Sequence, residues 1–196
     1  MSEGVATTPG SRIVDGRVVP EVGVWEIDPS HQAFEFIARH LMAKVRGRFP
    51  GVSGAATIAE VPEGSTLEIE IDANSIDTKD ETRDAHMRSD DFFGVEEHPT
   101  ITFRSTAVRP GEGENEWKVD GDLTIKGTTR PVTVDVEFLG AGLDPWGNKR
   151  IGFSGVVPEV DREQWGLVWN SPLESGGFLL GKTVRLEIEA ELIKKS

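Results

Sequence analysis

The feature that most constrains the fold is a two-residue alternation of apolar and polar side chains that recurs along most of the chain. The clearest run covers residues 184–192, where every second residue is apolar and every residue between is charged. This period is typical of a β-strand with one dry and one wet face, and it does not suit a helix. Similar runs cover residues 34–38, 67–72, 119–126 and 132–138.

Turn signals separate these runs and predict about eight strands, at the spacing of a sandwich or a barrel. Such signals occur at 62–65, at 110–113, at 127–131 and at 144–147. The dry faces must all face one interior. A one-residue register slip would turn each apolar set toward water, so the pattern constrains the register of every strand. We therefore predict an all-β, antiparallel β-barrel of about eight strands. The predicted inward-facing residues are Leu67, Ile69, Val119, Leu123, Val134, Val136, Leu186 and Ile188.

The sequence predicts one domain preceded by a tail. A length of 196 residues is enough for a single domain with a sizeable core. Residues 24–196 are predicted to form the barrel. Residues 1–23 are predicted to be disordered or to form a small hairpin: residues 1–11 are rich in Ser, Thr and Gly, whereas Asp15-Gly16 is a hairpin signal within residues 13–19.

Residues 75–106 interrupt the strand pattern with a polar segment that predicts a short helical lid. The helix should begin near Asp77 or Thr78, since Thr78 and Glu81 have the spacing of a capping box, and should end before Ser89. Phe92 and Phe93 follow the helix, and one or the other is predicted to insert toward the barrel. An i,i+4 ion pair is expected between Asp84 and Arg88.

Composition excludes several classes of function. A net charge of −13 disfavours nucleic acids and anionic membrane surfaces, which both require positive charge. The chain has no Cys, and no apolar run is long enough to span a membrane. Residues 1–23 lack the apolar and basic regions of a signal peptide, so we expect a cytoplasmic protein.

Catalytic motifs are missing from the sequence. Neither H-E-x-x-H, G-x-S-x-G nor a P-loop is present, and the four histidines are scattered at His31, His40, His86 and His98. We therefore predict that the protein is not an enzyme and holds neither a metal nor a resident cofactor. His31 and His98 are expected to serve in turns at strand entries.

Six ordered segments of this chain resemble the YceI family. The resemblance runs from about Trp25 to the C-terminus and implies a lipocalin-like barrel that binds polyisoprenoid lipids in its lumen. It also implies that an isoprenoid lipid or isoprenoid quinone is the bound partner, and that the protein is a homodimer. The segments are Ser75-Ile-Asp-Thr, Arg83-Asp-x-His86, Asp91-Phe-Phe, His98-Pro-Thr-Ile-Thr-Phe-x-Ser-Thr106, Gly121-Asp-Leu-Thr-Ile-x-Gly127 and Arg130-Pro131-Val132.

Strand parity and the resemblance together suggest the candidate site. Arg83, Asp84 and His86 are the polar residues expected at the mouth, either in a network that pins the helix or in contact with a head group. Residues 171–177 are a candidate portal because they have no strand character. The residues expected to line the lumen are Phe34, Phe36, His40, Phe92, Phe93, Phe103, Phe138, Phe153, Trp165 and Trp169.

Three functions remain open at this point. The first is non-covalent binding of a long-chain isoprenoid lipid for storage, transport or sequestration, and it is the prediction we adopt. The second is an enzyme of the same fold that uses His86 or His40. The third is a structural protein with a filled core and an outer face that binds a partner. A long apolar cavity favours the first, a convergent histidine and carboxylate the second, and a filled interior the third.

Overall fold

The computed structural model describes residues 7–195 and consists mainly of β-strands. A single α-helix, α1 (Glu81–Arg88), lies between the sixth and seventh strands in that range. Short 3₁₀ turns occur at Pro62–Gly64, Ala73–Ser75 and Arg162–Trp165. The strands are β1 (Ser11–Val14), β2 (Arg17–Pro20), β3 (Gly23–His40), β4 (Ala43–Arg48), β5 (Val52–Ile58), β6 (Thr66–Asp72), β7 (Thr100–Pro110), β8 (Glu116–Ile125), β9 (Thr128–Leu143), β10 (Lys149–Asp161) and β11 (Leu180–Lys194).

Eight of these strands close into an antiparallel barrel. Their order is β3-β5-β6-β7-β8-β9-β10-β11, and β11 pairs back onto β3. The long strand β3 pairs with β5 through residues 23–26 and with β4 through residues 35–40. The predicted all-β, antiparallel barrel of about eight strands with one helix is therefore confirmed. Closure matters because each of these eight strands has a neighbour on both sides, whereas β4, outside the ring, pairs with β3 alone.

The predicted strand parity also holds. All eight residues expected to face inward line the barrel interior, from Leu67 on β6 to Ile188 on β11. The charged residues between them lie on the outer face, where Arg185 and Glu187 pair with each other and Arg46 reaches Glu187. The alternation in sequence is thus the pleat of a sheet whose inner surface is dry.

A small hairpin, β1–β2, covers one end of the barrel. Asp15 and Gly16 both have positive φ, as the predicted tight turn requires. Of the two alternatives for this region, the structure shows the hairpin. Disorder was predicted for residues 1–11; residues 1–6 lie outside the described part, and for residues 7–11 that prediction is wrong. Ser11 is buried and bonds the Thr8 carbonyl, and Gly10 packs beside Trp25.

The helix begins later than predicted. Asp80 is its N-cap, and its carboxylate accepts a hydrogen bond from the Arg83 backbone N–H at 2.9 Å. The predicted cap at Asp77 or Thr78 is wrong because both side chains have other partners. Asp77 pairs with Arg48, and Thr78 donates to Asp84. The predicted end holds, since Ser89 is the C-cap.

The two barrel ends differ in what closes them. At the hairpin end, β3 begins, β11 ends and β1–β2 packs across the opening. At the lid end, β3 ends, and α1, Phe92, Phe93 and residues 162–179 form the cover. One turn at the lid end is tighter than predicted: the chain reverses at Lys126 and Gly127, which both have positive φ, so the predicted turn residues 128–131 belong to β9.

Candidate functional site

The barrel encloses a cavity of about 330 Å³. This volume falls within the ~300–1,000 Å³ range of ligand pockets. The wall is almost wholly apolar and runs from Val19 at the hairpin end to Phe92 at the lid end. Many inward-facing residues are only half-buried although their strands are paired on both sides, for example Val134, Leu186 and Ile188. Their remaining exposed surface faces the cavity, so the interior is hollow.

Most of the predicted lumen residues lie around this cavity. Phe138 and Trp169 do not line it, so their predicted position is wrong. Phe138 is buried against Phe153, with ring centroids 5.3 Å apart. Trp169 lies behind the lid, 4.6 Å from the His86 ring. The predicted residues that do line the cavity are Phe34, Phe36, His40, Phe92, Phe93, Phe103, Phe153 and Trp165.

Polar contacts attach the lid helix to residues 74–78, which precede it. Asp84 is buried and accepts hydrogen bonds from both the backbone N–H and the hydroxyl of Thr78, at 2.8 and 2.6 Å. Arg83 donates to the Thr78 hydroxyl and carbonyl. The expected Asp84–Arg88 pair does not form, because Arg88 instead donates to the carbonyls of Asn74 and Ile76. The helix is therefore held mainly through the segment that precedes it.

His86 packs in an aromatic cluster at the edge of the lid. Its ring meets Phe92 and Trp169 edge-on, with centroid distances of 5.1 and 4.6 Å. Its Nε2 lies 2.8 Å from a carboxylate oxygen of Asp91. Sequence spacing alone did not suggest Asp91 as the partner, because the chain turns after α1 and brings it back. His86 does not line the cavity, whereas His40 does.

Arg162 is a buried cation in the cavity wall, and its position was not predicted. Only 6% of the residue is exposed. Its Nε donates to the Gly181 carbonyl at 3.0 Å, and its Nη1 donates to the carbonyls of Leu167 and Trp169. Burial lowers the pKa of this guanidinium. The only sequence signal was the Arg-x-x-Trp-Gly spacing, which does not reveal that an arginine is buried.

Trp165 joins the same segment to β8. Its indole N–H donates to the Leu123 carbonyl at 3.0 Å, and its ring is buried in the cavity wall. The 3₁₀ turn Arg162–Trp165 ends at Gly166, which adopts a left-handed conformation with φ 76°. Residues 162–169 therefore cross the lid end as a second cover beside α1.

The hairpin end is closed by Val19 and Pro20, which contact the cavity, and Val19 is 1% exposed. Charged groups fix this end from outside. Glu21 pairs with Lys149 at 2.6 Å and with Lys194 at 2.8 Å. The Lys149 hydrogen bond, followed by that of Lys194, lowers the pKa of Glu21 to about 2.

The other polar clusters have structural partners. Asp28 accepts from the Ser30 backbone N–H and also contacts His31 and Arg150, and these interactions lower its pKa to about 2. His98 lies in the turn before β7 and packs beside Gly127, which lies between β8 and β9. Within residues 7–195, no group of three or more His, Asp or Glu side chains could hold a metal ion. In the same range, no helix has the length and apolarity to cross a membrane.

The chain is similar to known proteins over most of its length. The sequence profile of the YceI-like domain matches residues 25–192. A UPF0312 protein of Staphylococcus aureus (strain USA300) is 41% identical over 167 residues, which is 84% of this chain and 94% of that protein. The hairpin β1–β2 precedes the residues that the profile matches.

Solved structures share the fold. BcnA of Burkholderia cenocepacia has a TM-score of 0.73 at 22% identity, covering 84% of this chain and 98% of that one. A polyisoprenoid binding domain from Saccharophagus degradans, implicated in plant cell wall breakdown, has a TM-score of 0.61 at 16% identity, covering 89% and 100%. The profile match and the 41% identity extend the likeness from fold to family. This chain belongs to the YceI-like domain family.

Proposed function

We propose that the protein binds a long-chain isoprenoid lipid, an isoprenoid quinone or a precursor of one, non-covalently in the barrel cavity. The role would be storage, transport or sequestration of that lipid. The observation that carries the proposal is the hollow interior, an apolar cavity of about 330 Å³ along which several wall residues stay half-buried although their strands are paired on both sides. The polyisoprenoid binding domain of the same fold supports the choice of lipid class.

The wall suits a flexible apolar chain. It offers aliphatic and aromatic surface with few polar groups, so affinity must come mainly from burial of the ligand. Burial gains about 0.8 kcal/mol for each CH₂, or roughly 4 kcal/mol for a five-carbon prenyl unit. Part of this gain is offset by the ordering of the chain and by its lost translational freedom. A few buried prenyl units therefore suffice for stable binding.

The test is organic extraction of the purified protein followed by mass spectrometry. We expect an isoprenoid lipid in a fixed ratio to protein. Val136→Phe replaces a small aliphatic side chain on the inward face with an aromatic ring and should lower that ratio by filling the cavity. Leu139→Phe is the matched control, because Leu139 lies on the same strand, is exposed on the outer face and should leave the ratio unchanged. Extracts without lipid, from protein that also fails to take up added isoprenoid, would contradict the proposal.

Binding without catalysis is part of the proposal. The two histidines considered for an enzyme have different surroundings. His40 faces the cavity, whereas His86 packs behind the lid against Trp169. A search for turnover of the extracted lipid by the purified protein checks this point, and chemical conversion that depends on either histidine would contradict it.

Self-association and location remain predictions. A homodimer would cover apolar side chains that stand exposed at the lid end, among them Met42 and Phe178, against the opposition of a −13 charge on each chain. Sedimentation at moderate salt should show two chains per particle, and a monomer at high concentration would refute the dimer. Cell fractionation checks the expected cytoplasmic location.

A further inference from the structure

The hairpin end of the cavity is closed by residues that lie outside the ring of eight barrel strands. Val19 and Pro20 of β2 are buried, and both contact the cavity. β1 and β2 pair only with each other, so the hairpin crosses the opening as a separate plate. The YceI-like profile begins at residue 25, after this plate. The length of the cavity is therefore set at this end by an element that the family match does not include.

The plate is fastened to the barrel rim at several places. Arg12 Nη2 donates to the Ala59 carbonyl, just beyond the end of β5, at 2.7 Å. Arg17 Nη1 donates to the Gly113 carbonyl, between β7 and β8, also at 2.7 Å. The ion pairs of Glu21 with lysines of β10 and β11 hold a third side. Because these attachments surround the opening, the end of a bound chain cannot move the plate aside by breaking one contact.

The inner surface of this end suits an apolar chain end. Val19 presents an aliphatic side chain, and Pro20 has a hydrocarbon ring and no backbone N–H. Trp117 lies in the cavity wall at the same end, with its ring 5.7 Å from the Arg17 guanidinium carbon. A hydrocarbon chain that ends in methyl groups can contact such a surface without leaving a buried polar group unpaired.

We infer that the hairpin limits the length of the isoprenoid chain that the cavity accepts, with Val19 and Pro20 as the stop. This inference rests on the proposed lipid binding and adds selectivity for chain length. A chain that just reaches the stop is buried to its end. Each further prenyl unit must stay in water or force the chain to fold back, so it adds little burial and little affinity.

The first test is a titration with isoprenoid alcohols of increasing length, from geraniol through farnesol and geranylgeraniol to longer homologues. The full-length protein is used after removal of bound lipid, and binding is followed by tryptophan fluorescence because Trp117 and Trp165 line the cavity. We expect affinity to rise by on the order of 10²- to 10³-fold for each added prenyl unit until the chain reaches the stop. Beyond that length, affinity should level off or fall.

Variants of Val19 that change its size in opposite directions test whether the hairpin sets this limit. Val19→Ala makes room for about two methyl groups and should bind the first chain beyond the limit about 10-fold more tightly. Val19→Phe extends a ring into the cavity. It should weaken the longest accepted chain by about 10- to 100-fold while shorter chains bind as before.

Ile13→Ala and Ile13→Phe are the matched controls for these two variants. Ile13 lies on the same hairpin, is 45% exposed and does not contact the cavity, so neither change should move the limit. If Val19→Phe dislodges the hairpin, a crystal structure of the unaltered protein with the longest accepted alcohol decides. We expect its terminal methyl groups within about 4.5 Å of Val19 or Pro20, and a chain end elsewhere would overturn the inference.

The outcomes separate this inference from the proposed function. Affinity that rises without a limit, or a limit that neither Val19 variant moves, would overturn the chain-length stop and leave isoprenoid binding in place. Equal weakening of every chain by both variants would show that Val19 is only structural, with the same consequence. Failure of every alcohol to bind would overturn both.

Discussion

The two ends of the barrel are closed by different chemistry. At the hairpin end, Val19 seals the cavity and the charges of Glu21, Lys149 and Lys194 stay outside, near water. At the lid end, buried polar groups bond mostly to backbone and hydroxyl groups, as Asp84 does with Thr78 and Arg162 with three carbonyls. One end is a seal fixed by surface ion pairs, whereas the other is held by buried hydrogen bonds of polar side chains. The family match covers only the second of these closures.

The largest effect should come from the aromatic residues under the lid. Phe92 and Phe93 are both buried, and each Phe→Ala change typically costs about 3–5 kcal/mol of unfolding free energy. Urea denaturation of the double variant should show a loss of that order or larger, together with poorer lipid retention. Trp146→Ala is the control, because Trp146 is 81% exposed and should change stability by less than about 0.5 kcal/mol. Unchanged stability and lipid content in the double variant would show that these two residues do not close the lid end.

Removing the hairpin should cost less and should leave the barrel intact. β1 and β2 form their own sheet and share no ladder with the eight barrel strands. Deletion of residues 1–20 should lower the unfolding free energy by about 1.5–3 kcal/mol for the lost burial of Val19. It should also admit longer lipid chains, as mass spectrometry of extracts would show.

A matched change keeps the hairpin and alters its outer face. Ile13→Ser should leave the lipid profile unchanged, since Ile13 does not contact the cavity and is 45% exposed. If the deletion abolished the β-sheet circular dichroism signal, the hairpin would be part of the barrel's folding unit, and the two ends would not be separable.

A smaller effect is expected at His86. Loss of its contact with Asp91 and of its packing on Trp169 should lower stability by about 1–2 kcal/mol in His86→Ala. Lipid content should fall in proportion, as measured on the same preparation as the thermal melt. His31→Ala is the control, since His31 also contacts a carboxylate, Asp28, but lies away from the lid. A variant that kept its stability and lipid yet lost a reaction by ~10²–10⁴-fold would mark His86 as a general base.

The smallest expected effect is a pH dependence of stability that arises from Glu21 at the hairpin end. The folded-state pKa of Glu21 is about 2, below its usual 4.5, so its contribution to stability is present above pH 4.5 and is lost as the pH falls toward 2. Glu21→Gln lacks this contribution. The stability difference between the unaltered protein and the variant should therefore shrink across that window in acid denaturation curves. A difference independent of pH would show that the carboxylate of Glu21 does not help to hold the hairpin end.

The barrel was predictable because its information is local and repeated. Alternation alone fixed which faces of β6, β8, β9 and β11 point inward, and all eight residues chosen from it are in the cavity wall. The helix end at Ser89 was also local. The start was missed because Thr78 and Asp80 are both good capping residues, and the choice between them depends on the later residue Asp84.

The candidate site was only partly predictable, since its polar members depend on contacts between distant segments. The sequence gives no sign that Arg162 is buried, because its burial depends on contacts with Gly181 and Trp169 that form only in the folded chain. Trp169 and Phe138 were predicted to line the lumen, and neither does, because neighbouring rings take the places that face the cavity. Strand parity gives the face of a sheet but does not tell which residue on that face reaches free space.

The seam between β3 and β11 has a consequence for how the protein forms. It pairs Trp25 with Lys194 and Ala38 with Val184, so the barrel closes through contacts between the two ends of the matched domain. Contacts of such long sequence separation slow folding. During synthesis, β3 and β10 each present an open edge until the fifteen residues of β11 have emerged. Open edges recruit strands from other chains, so the period before closure is when this protein is most exposed to aggregation.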